Sequence, residues 1–277
     1  MRVETIDYQD KLAGAALYES LKATGFAVLD NHPISPDRIA EMYELWARFF
    51  AGQEKFAYAP EPSCHDGYFA FGSENAKDSP LKDLKEFFHV YPQSRLPTEL
   101  ADKTNAIYAD LQALGLEVLS WIQQHTPAEV RESFTMPLHE MMAGSSQSLL
   151  RVLHYPPVAE HALGAMRAAP HEDINLITLL LSGSNPGLQA KDARGVWHDI
   201  SQDKRMVTIN TGDMLAMASN NFFPSTTHRV INPDPAQNVS RYSMPMFLHP
   251  RPDVLLRRDR TANDYRQERL REIGLTP

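Results

Sequence analysis

Apolar residues in the first half of the chain recur at intervals of three and four positions, which is the spacing of an amphipathic helix. Ser35 followed by Pro36 is a favoured helix start, and an apolar stripe begins directly after this pair. Its members are Ile39, Met42, Tyr43, Trp46, Phe49 and Phe50. A second stripe runs from about Glu99 to His125. The pattern predicts two helices whose apolar faces pack into a core.

The pattern changes near Gly144, after which short apolar runs alternate with clusters of turn-forming residues. Six of these runs have the length and composition of strands: 149–155, 176–181, 206–210, 214–218, 228–231 and 242–248. Many short strands with polar residues at their ends favour two facing sheets. We therefore expect a mixed α+β fold, mainly β, with a double-stranded β-helix core of the jelly-roll or cupin type, braced by the N-terminal helices.

No internal repeat or low-complexity linker divides the sequence. A chain of 277 residues is long enough for one large β-rich domain with a substantial core. We predict a single domain over 1–277. Its parts are a mainly helical region over 1–143, the jelly-roll core over 144–250, and a C-terminal region over 251–277 that forms a helix.

The composition of the chain favours a globular protein and argues against nucleic-acid-binding and membrane-spanning classes. Hydrophobic residues make up 43% and charged residues 22%, as in soluble globular proteins, and the formal charge is 27 − 35 = −8. No basic run is present, which argues against a nucleic-acid partner, and no apolar segment is long enough to cross a membrane. Cys64 is the single cysteine, so an intrachain disulfide is excluded and a reducing, cytoplasmic location is expected.

Three residues, two histidines and one aspartate, are of the types that bind iron. His171 and Asp173 stand two positions apart before an apolar, β-branched run, so on a strand both would point to the same face. His228 follows 55 positions after Asp173, in another strand-like segment. Two imidazoles and one carboxylate on one side of a metal form the facial triad of non-haem iron(II) oxygenases. The competing interpretation is two surface polar residues at a strand end and an unrelated histidine.

An arginine downstream of the triad adds a second feature. Arg241 and Ser243 are again two positions apart on an apolar strand, and an inward arginine requires an anion, for which its fork suits a carboxylate. Tyr155, at the end of an upstream strand, would supply a further hydroxyl. Taken alone, Arg241 would be read as an ordinary surface residue on a strand edge.

These motifs, in this order, resemble a known family. They are Tyr155-Pro156-Pro157, His171-Glu172-Asp173, Gly187-Leu188-Gln189, Asn210-Thr211-Gly212-Asp213, His228-Arg229-Val230 and Arg241-Tyr242-Ser243. The chain resembles the isopenicillin N synthase-like branch of the iron(II)/2-oxoglutarate-dependent oxygenases. The resemblance continues into the N-terminal half through Thr24-Gly25-Phe26, Gly67-Tyr68 and Leu84-Lys85-Glu86.

The resemblance implies a dioxygenase that hydroxylates or desaturates a small molecule and releases succinate and carbon dioxide. It assigns iron(II) to the triad and the far carboxylate of 2-oxoglutarate to Arg241, Ser243 and Tyr155, with ascorbate as a further cofactor. Phe247 points to the same face as Ser243, where it would either line the substrate pocket or pack in the core. Tyr68, near the expected barrel mouth, is a second pocket candidate.

Two alternatives remain open at the level of sequence. The first is an iron-dependent oxidase of the same fold that takes its electrons from its substrate or from ascorbate and uses no 2-oxoglutarate. Arg241 and Ser243 do not separate it from the dioxygenase, because that pair can also bind a substrate carboxylate. The second is a non-catalytic binding module, against which the intact triad argues. Production of succinate separates the two enzyme classes.

Overall fold

The computed structural model describes residues 1–60, 65–75, 81–158, 164–201, 203 and 205–272. Cys64 and the last five residues of the predicted C-terminal region lie outside them. The helices are α1 (Ala13–Thr24), α2 (Pro36–Ala51), α3 (Thr98–His125), α4 (Ala128–Arg131), α5 (Leu138–Met142), α6 (Asp213–Ala218) and α7 (Ala262–Glu272). Two short 3₁₀ helices cover Glu54–Tyr58 and Pro235–Gln237. None of the described helices is both long and apolar enough to cross a membrane.

The strands form one large sheet, one small sheet and a hairpin. They are β1 (Thr5–Asp7), β2 (Phe26–Asp30), β3 (Gly67–Phe69), β4 (Glu86–Val90), β5 (Leu149–Tyr155), β6 (Ala168–His171), β7 (Ile177–Leu181), β8 (Leu188–Lys191), β9 (Trp197–Asp199), β10 (Val207–Thr211), β11 (His228–Val230), β12 (Arg241–Leu248), β13 (Leu255–Arg257) and β14 (Arg260–Thr261). The major sheet has the order β1-β2-β10-β7-β12-β5-β4-β3, and the minor sheet the order β6-β11-β8-β9. Only the β1–β2 pair within the major sheet is parallel among the described strands.

The two long N-terminal helices occur where the apolar spacing predicted them. Helix α2 starts at Pro36 after an extended Ser35, and its buried positions include Ile39 and Trp46. Helix α3 packs directly on the major sheet, because a Cβ on Gly115 would lie 2.0 Å from Leu248 Cδ1. Glycine at this position therefore sets how closely helix and sheet approach.

The N-terminal half also contributes four strands that the periodicity did not predict. Strand β2 pairs with β1 on one side and β10 on the other, so it lies inside the major sheet. Four of its five residues are buried, which removes the alternation of apolar and polar positions by which a strand is recognised. Strands β1 and β3 have only three residues each.

The two faces of the major sheet bury different sets of residues. The outer face packs against α1, α2 and α3 in the larger apolar cluster, which includes Leu29, Leu179 and Met246. The inner face meets the minor sheet in a second cluster of buried residues. Its members are Phe26, Val28, Phe87, Leu153, Tyr155, Ala168, Leu180, Leu188, Ala190, Ile200 and Val230. Tyr155, one of the predicted site residues, belongs to this inner cluster.

One predicted strand is a helix. The run 214–218 has the length and composition expected of a strand, but α6 covers it. A short, nearly continuous apolar run does not distinguish a buried strand from a buried helix, and methionine, leucine and alanine all favour the helix. The C-terminal region likewise contains the β13–β14 hairpin before its helix α7 begins at Ala262.

Candidate active site

The structure brings His171, Asp173 and His228 to one point between the two sheets. His171 is the last residue of β6 and His228 the first of β11, and the two are paired directly across the strands. One potential ligand atom from each of the three side chains lies within 4.8 Å of the others. Strand β6 ends at His171, and Asp173 lies in the loop that follows. The two side chains therefore do not share one face of a strand, as the sequence had suggested.

The loop that carries Asp173 is fixed by the start of α6. The backbone N–H of Asp213 donates to the carbonyl of Asp173 at 2.8 Å, and that of Met214 donates to the carbonyl of Asn175 at 3.1 Å. A Cβ on Gly212 would lie 2.3 Å from the carbonyl oxygen of Asn175, so this close approach requires glycine. The Asn210-Thr211-Gly212-Asp213 motif thus positions the carboxylate.

Hydrogen bonds determine which nitrogen of each histidine faces the site. Nδ1 of His171 lies 2.8 Å from the carbonyl oxygen of Ala169, and Nδ1 of His228 lies 3.1 Å from that of Thr226. Because a carbonyl oxygen only accepts, each Nδ1 carries the hydrogen. The Nε2 lone pairs are therefore available to a metal, and the backbone carbonyls orient both rings.

Asp173 has one oxygen engaged and one facing the histidines. Its Oδ2 accepts hydrogen bonds from Thr178 Oγ1 at 2.6 Å and from Asn210 Nδ2 at 2.8 Å. Its Oδ1 lies 3.7 Å from His228 Nε2. Burial alone would raise the pKa of Asp173, but the neighbouring imidazoles of His228 and His171 and the two hydrogen bonds hold it below its usual value. The carboxylate is therefore ionised at neutral pH.

The charge state of the group fits a divalent cation. Burial, together with the nearby His228, lowers the pKa of His171 to about 4, so the ring is neutral at pH 7. Asp173 is 6% exposed, and no lysine or arginine among the described residues forms an ion pair with it. A buried, ionised carboxylate beside imidazole nitrogens is stabilised by a bound cation. Two nitrogens and one oxygen on one side suit iron(II) with open coordination positions.

Arg241, Tyr155 and Ser243 lie together on neighbouring strands of the inner face. Arg241 pairs with Tyr155 across β12 and β5, and its guanidinium carbon is 5.3 Å from the centre of the tyrosine ring. Arg241 is 1% and Ser243 3% exposed. The Nε of Arg241 donates to the carbonyl of Asn185 at 2.9 Å. Burial lowers the pKa of Arg241, which Tyr155 and Tyr43 partly offset.

A single inner cavity connects the two groups. It is lined at one end by His171, Asp173 and His228 and at the other by Tyr155, Arg241 and Ser243. The walls between them are mainly apolar and come from both sheets: Leu153, Ala168, Leu180, Leu188, Val230 and Pro245. The arrangement provides a buried cation that favours an anionic group and, in the same cavity, side chains that can bind a metal.

Two family models match the chain. The model of the 2OG-Fe(II) oxygenase superfamily matches residues 146–250, and that of the N-terminal region of non-haem dioxygenases in morphine synthesis matches residues 3–109. The 2-oxoglutarate-dependent dioxygenase htyE of Aspergillus rugulosus is 30% identical over 87% of this chain and 83% of that protein. The chain belongs to the 2OG-Fe(II) oxygenase superfamily.

Solved structures of similar proteins agree with this assignment. A Shewanella oneidensis protein described as a candidate oxygenase is 45% identical, with both chains fully covered and a TM-score of 0.89. A full-length Neurospora crassa protein crystallised in complex with alpha-KG is 26% identical, over 97% of this chain and 95% of that one, with a TM-score of 0.80. The predicted double-stranded β-helix core and the predicted enzyme class are confirmed: this oxygenase is an iron(II)- and 2-oxoglutarate-dependent dioxygenase.

A larger cavity opens on the other side of the triad of this oxygenase. Its volume is about 550 Å³, compared with about 70 Å³ for the inner cavity. Phe247 lines both cavities, at the position expected from its alternation with Ser243 on β12. The remaining described walls come from β4, β5 and α7 and from the segments that follow β3, β4, β6 and β12. They include Glu74, Lys85, His89, Tyr91, Leu149, Arg151, Glu172, Ile174, His249, Arg266, Arg269 and Leu270.

The structure places Tyr68, the other pocket candidate, away from both cavities. Its hydroxyl donates to Glu86 Oε2 at 2.5 Å, and its ring lies against Phe50 of the outer cluster and against the exposed Phe56. The cause is strand alternation in β3, because the next residue, Phe69, faces inward and stacks on Phe87 at 4.7 Å. The expectation that Tyr68 lines the substrate pocket is therefore corrected.

Several polar residues near the site were not predicted. Thr178 and Asn210 donate hydrogen bonds to the carboxylate of Asp173, and both lie on strands in which every residue is buried. Lys85 lines both cavities, and Arg167 is 1% exposed. Burial and the neighbouring charge of Arg241 lower the pKa of Arg167. Thr178 lies five positions after Asp173, whereas the pairing of β10 with β7 brings Asn210 near it. Asn210 and Lys85 stand in motifs that carry the family resemblance, but those motifs gave neither residue a role.

Proposed function

We propose that His171, Asp173 and His228 bind the iron(II) of this oxygenase, and that Arg241 and Ser243, together with Tyr155, bind the far carboxylate of 2-oxoglutarate. The observation that carries the proposal is the inner cavity, which has the triad at one end and a fully buried arginine at the other. A guanidinium in an apolar cavity is stabilised by a carboxylate that it can bind through two parallel hydrogen bonds.

Each part of the chain has a defined task in this proposal. Iron and 2-oxoglutarate, when bound, supply the oxidising chemistry, and the protein positions them and limits side reactions. The carbonyls of Ala169 and Thr226 keep the two Nε2 lone pairs aimed at the metal. Apolar residues along the inner cavity, such as Leu180 and Val230, exclude water from the co-substrate.

We place the primary substrate in the larger cavity, with Phe247 as one wall. A volume of about 550 Å³ lies within the range for small-molecule sites. Family members act on small molecules, and the Neurospora crassa relative has been crystallised with thymine. The acidic balance of the chain disfavours a nucleic-acid substrate, and the single cysteine supports a cytoplasmic location. Both the helical and the jelly-roll regions contribute strands to the major sheet, which supports one domain.

Succinate formation tests the proposed function. The purified enzyme is incubated with iron(II), 2-oxoglutarate and air, with and without ascorbate, and succinate is measured by mass spectrometry. We expect succinate in the wild type without any added substrate, at a slow uncoupled rate. We expect a greatly reduced amount in Asp173→Ala, in which the ionised ligand is missing. Oxygen consumption that needs ascorbate and leaves 2-oxoglutarate intact would instead support the iron oxidase that uses no 2-oxoglutarate.

A further inference from the structure

Helix α7 forms one wall of the larger cavity through Arg266, Arg269 and Leu270. These positions are three and four residues apart, so they share one face of the helix. The hydroxyl of Tyr265 hydrogen-bonds the carboxylate of Asp213 at the start of α6, the helix that also holds the Asp173 loop. This hydrogen bond connects α7, with its two arginines, to the helix that holds the Asp173 loop.

Most charged residues in this cavity neutralise one another. Glu74 Oε2 lies 2.8 Å from Lys85 Nζ and 3.0 Å from Arg151 Nη1, so this carboxylate joins two cations. Lys85 Nζ is also 2.8 Å from Asp83 Oδ2. Lys85 and Arg151 are thus engaged by the protein itself, and they do not provide a separate binding site for an anion.

Arg266 differs from the other cations of the cavity. Arg269 is paired with Glu272 at 2.8 Å, whereas no acidic partner of Arg266 is found within the described part of the chain. The charge of Arg266 acts on His249, which also feels the charge of Asp173. Arg266 therefore lies within electrostatic range of a residue that lines the same cavity as His171 and Asp173. A half-buried guanidinium without a counter-charge favours binding of an anion.

We propose that Arg266 binds a carboxylate of the primary substrate, and that the substrate class is a compact monocarboxylic acid with an apolar body. The inference rests on the proposed function, because that function places the substrate in this cavity. Phe247, Leu149 and Ile174 provide an apolar surface for the body of such an acid, and Leu270 extends this surface beside Arg266. An acid anchored at Arg266 would present its carbon chain to the iron side of the cavity.

The charges of the cavity favour a carboxylate over a phosphate. One guanidinium without a protein partner matches one negative charge, and its planar fork matches the two oxygens of a carboxylate. A phosphate dianion would need a second unengaged cation. Glu172, which lines the same cavity, would also repel a dianion more strongly than a monoanion.

Calorimetric titration of matched probes tests this proposal. The enzyme is loaded with iron(II) and 2-oxoglutarate without oxygen, and phenylacetate, 3-phenylpropionate and L-proline are titrated, each beside its primary amide. Thymine serves as a neutral ring compound. The variants are Arg266→Gln and Arg266→Lys. The control is Arg271→Gln, which removes the same charge from an exposed position of α7 that does not line the cavity.

We expect at least one acid to bind about tenfold more tightly than its amide, since one charge-assisted contact contributes about that factor or more. Arg266→Gln should abolish this preference, Arg266→Lys should retain part of it, and Arg271→Gln should leave it unchanged. The proposal is overturned if no acid binds, if the amides or thymine bind as tightly as the acids, or if Arg266→Gln keeps the preference.

Admitting air to the same samples and measuring succinate separates this inference from the proposed function. Acid binding that depends on Arg266 without any succinate would contradict the proposed function and leave the acid site intact. Succinate formation without any preference for acids would support the proposed function and contradict the acid site.

Discussion

The two faces of the major sheet are made from the same strands, and both bury apolar clusters, but the inner face also buries the polar groups of the site. On β12, Met244 and Met246 point outward and are completely buried against the helices, whereas Arg241 and Ser243 point inward. The outer face is stabilised by apolar burial, at roughly 1.5–3 kcal/mol for each large side chain. The inner face buries polar groups that need hydrogen bonds, a metal or a bound anion. Residues that stabilise the fold and residues that belong to the site therefore alternate along β12.

The largest effect is expected from removal of a triad residue. His171→Ala, Asp173→Ala and His228→Ala should each lower succinate formation by more than about a hundredfold, since loss of an outer hydrogen-bond partner alone costs up to that factor. Iron content after dialysis, measured by a colorimetric assay, should fall in parallel. Thermal unfolding of the metal-free proteins should remain cooperative. A variant with full iron content and normal turnover would exclude that residue from the metal site.

A substitution on the outer face should lower stability without changing ligand binding. Leu179 is fully buried between the sheet and the helices, so Leu179→Ala should lower the free energy of unfolding by about 2–5 kcal/mol. The affinity of the folded protein for 2-oxoglutarate should not change. Denaturant titration gives the first quantity and anaerobic binding the second. A large loss of affinity would show that the two faces are not independent.

Asn210 and Ile209 are neighbours on β10 that face opposite sides of the sheet. Asn210→Ala removes the hydrogen bond to Asp173 Oδ2, so iron affinity should fall by about 10- to 100-fold. Ile209→Val, on the outer face, should lower stability by about 0.5–1.5 kcal/mol and leave iron affinity unchanged. Competition with a chromogenic chelator measures iron affinity. Equal effects of the two variants on the metal would contradict the assignment of faces.

A smaller effect concerns pH. Burial, together with Arg266, lowers the pKa of His249 to about 4, below the ordinary value of 6.5. Between these values the unfolded chain binds more protons than the folded one, so the contribution of His249 is complete above pH 6.5 and is lost as pH falls towards 4. His249→Asn should therefore make the loss of stability over this interval less steep. The same slope in both proteins, measured by urea unfolding at several pH values, would contradict the assigned burial.

Sequence patterns predicted the outer face and the ligands better than the connections between them. The apolar stripes of α2 and α3 and the strand from Leu149 to Tyr155 occur where expected, because each has a clear period or composition. Strand β2 escaped prediction because it is buried on both faces, and the prediction of a strand at α6 was wrong because short apolar runs are ambiguous.

Side chains whose role depends on long-range pairing were beyond the reach of local patterns. Asn210 meets Asp173 because β10 pairs with β7 and the α6 start holds the Asp173 loop. Tyr68 was misplaced because the alternation of a three-residue strand has no sequence signature, so the face that it presents could not be read. The same limitation applies to Arg266, because its helix is far along the chain from His171 and Asp173, which line the same cavity.

The most direct test of the inner-face site is an anaerobic titration of 2-oxoglutarate into the iron-loaded enzyme, followed through the metal-to-ligand charge-transfer band. A charge-assisted hydrogen bond to a buried anion contributes about 1.5–3 kcal/mol, so Arg241→Ala should bind 2-oxoglutarate roughly 10- to 100-fold more weakly. Arg241→Lys should recover part of the loss, and Ser243→Ala should cost only about 1 kcal/mol. Tyr242→Phe changes the neighbouring residue, which points to the other face, and should bind normally. Unchanged affinity in Arg241→Ala would contradict the account, and absence of the band in the wild type would favour the oxidase that uses no 2-oxoglutarate.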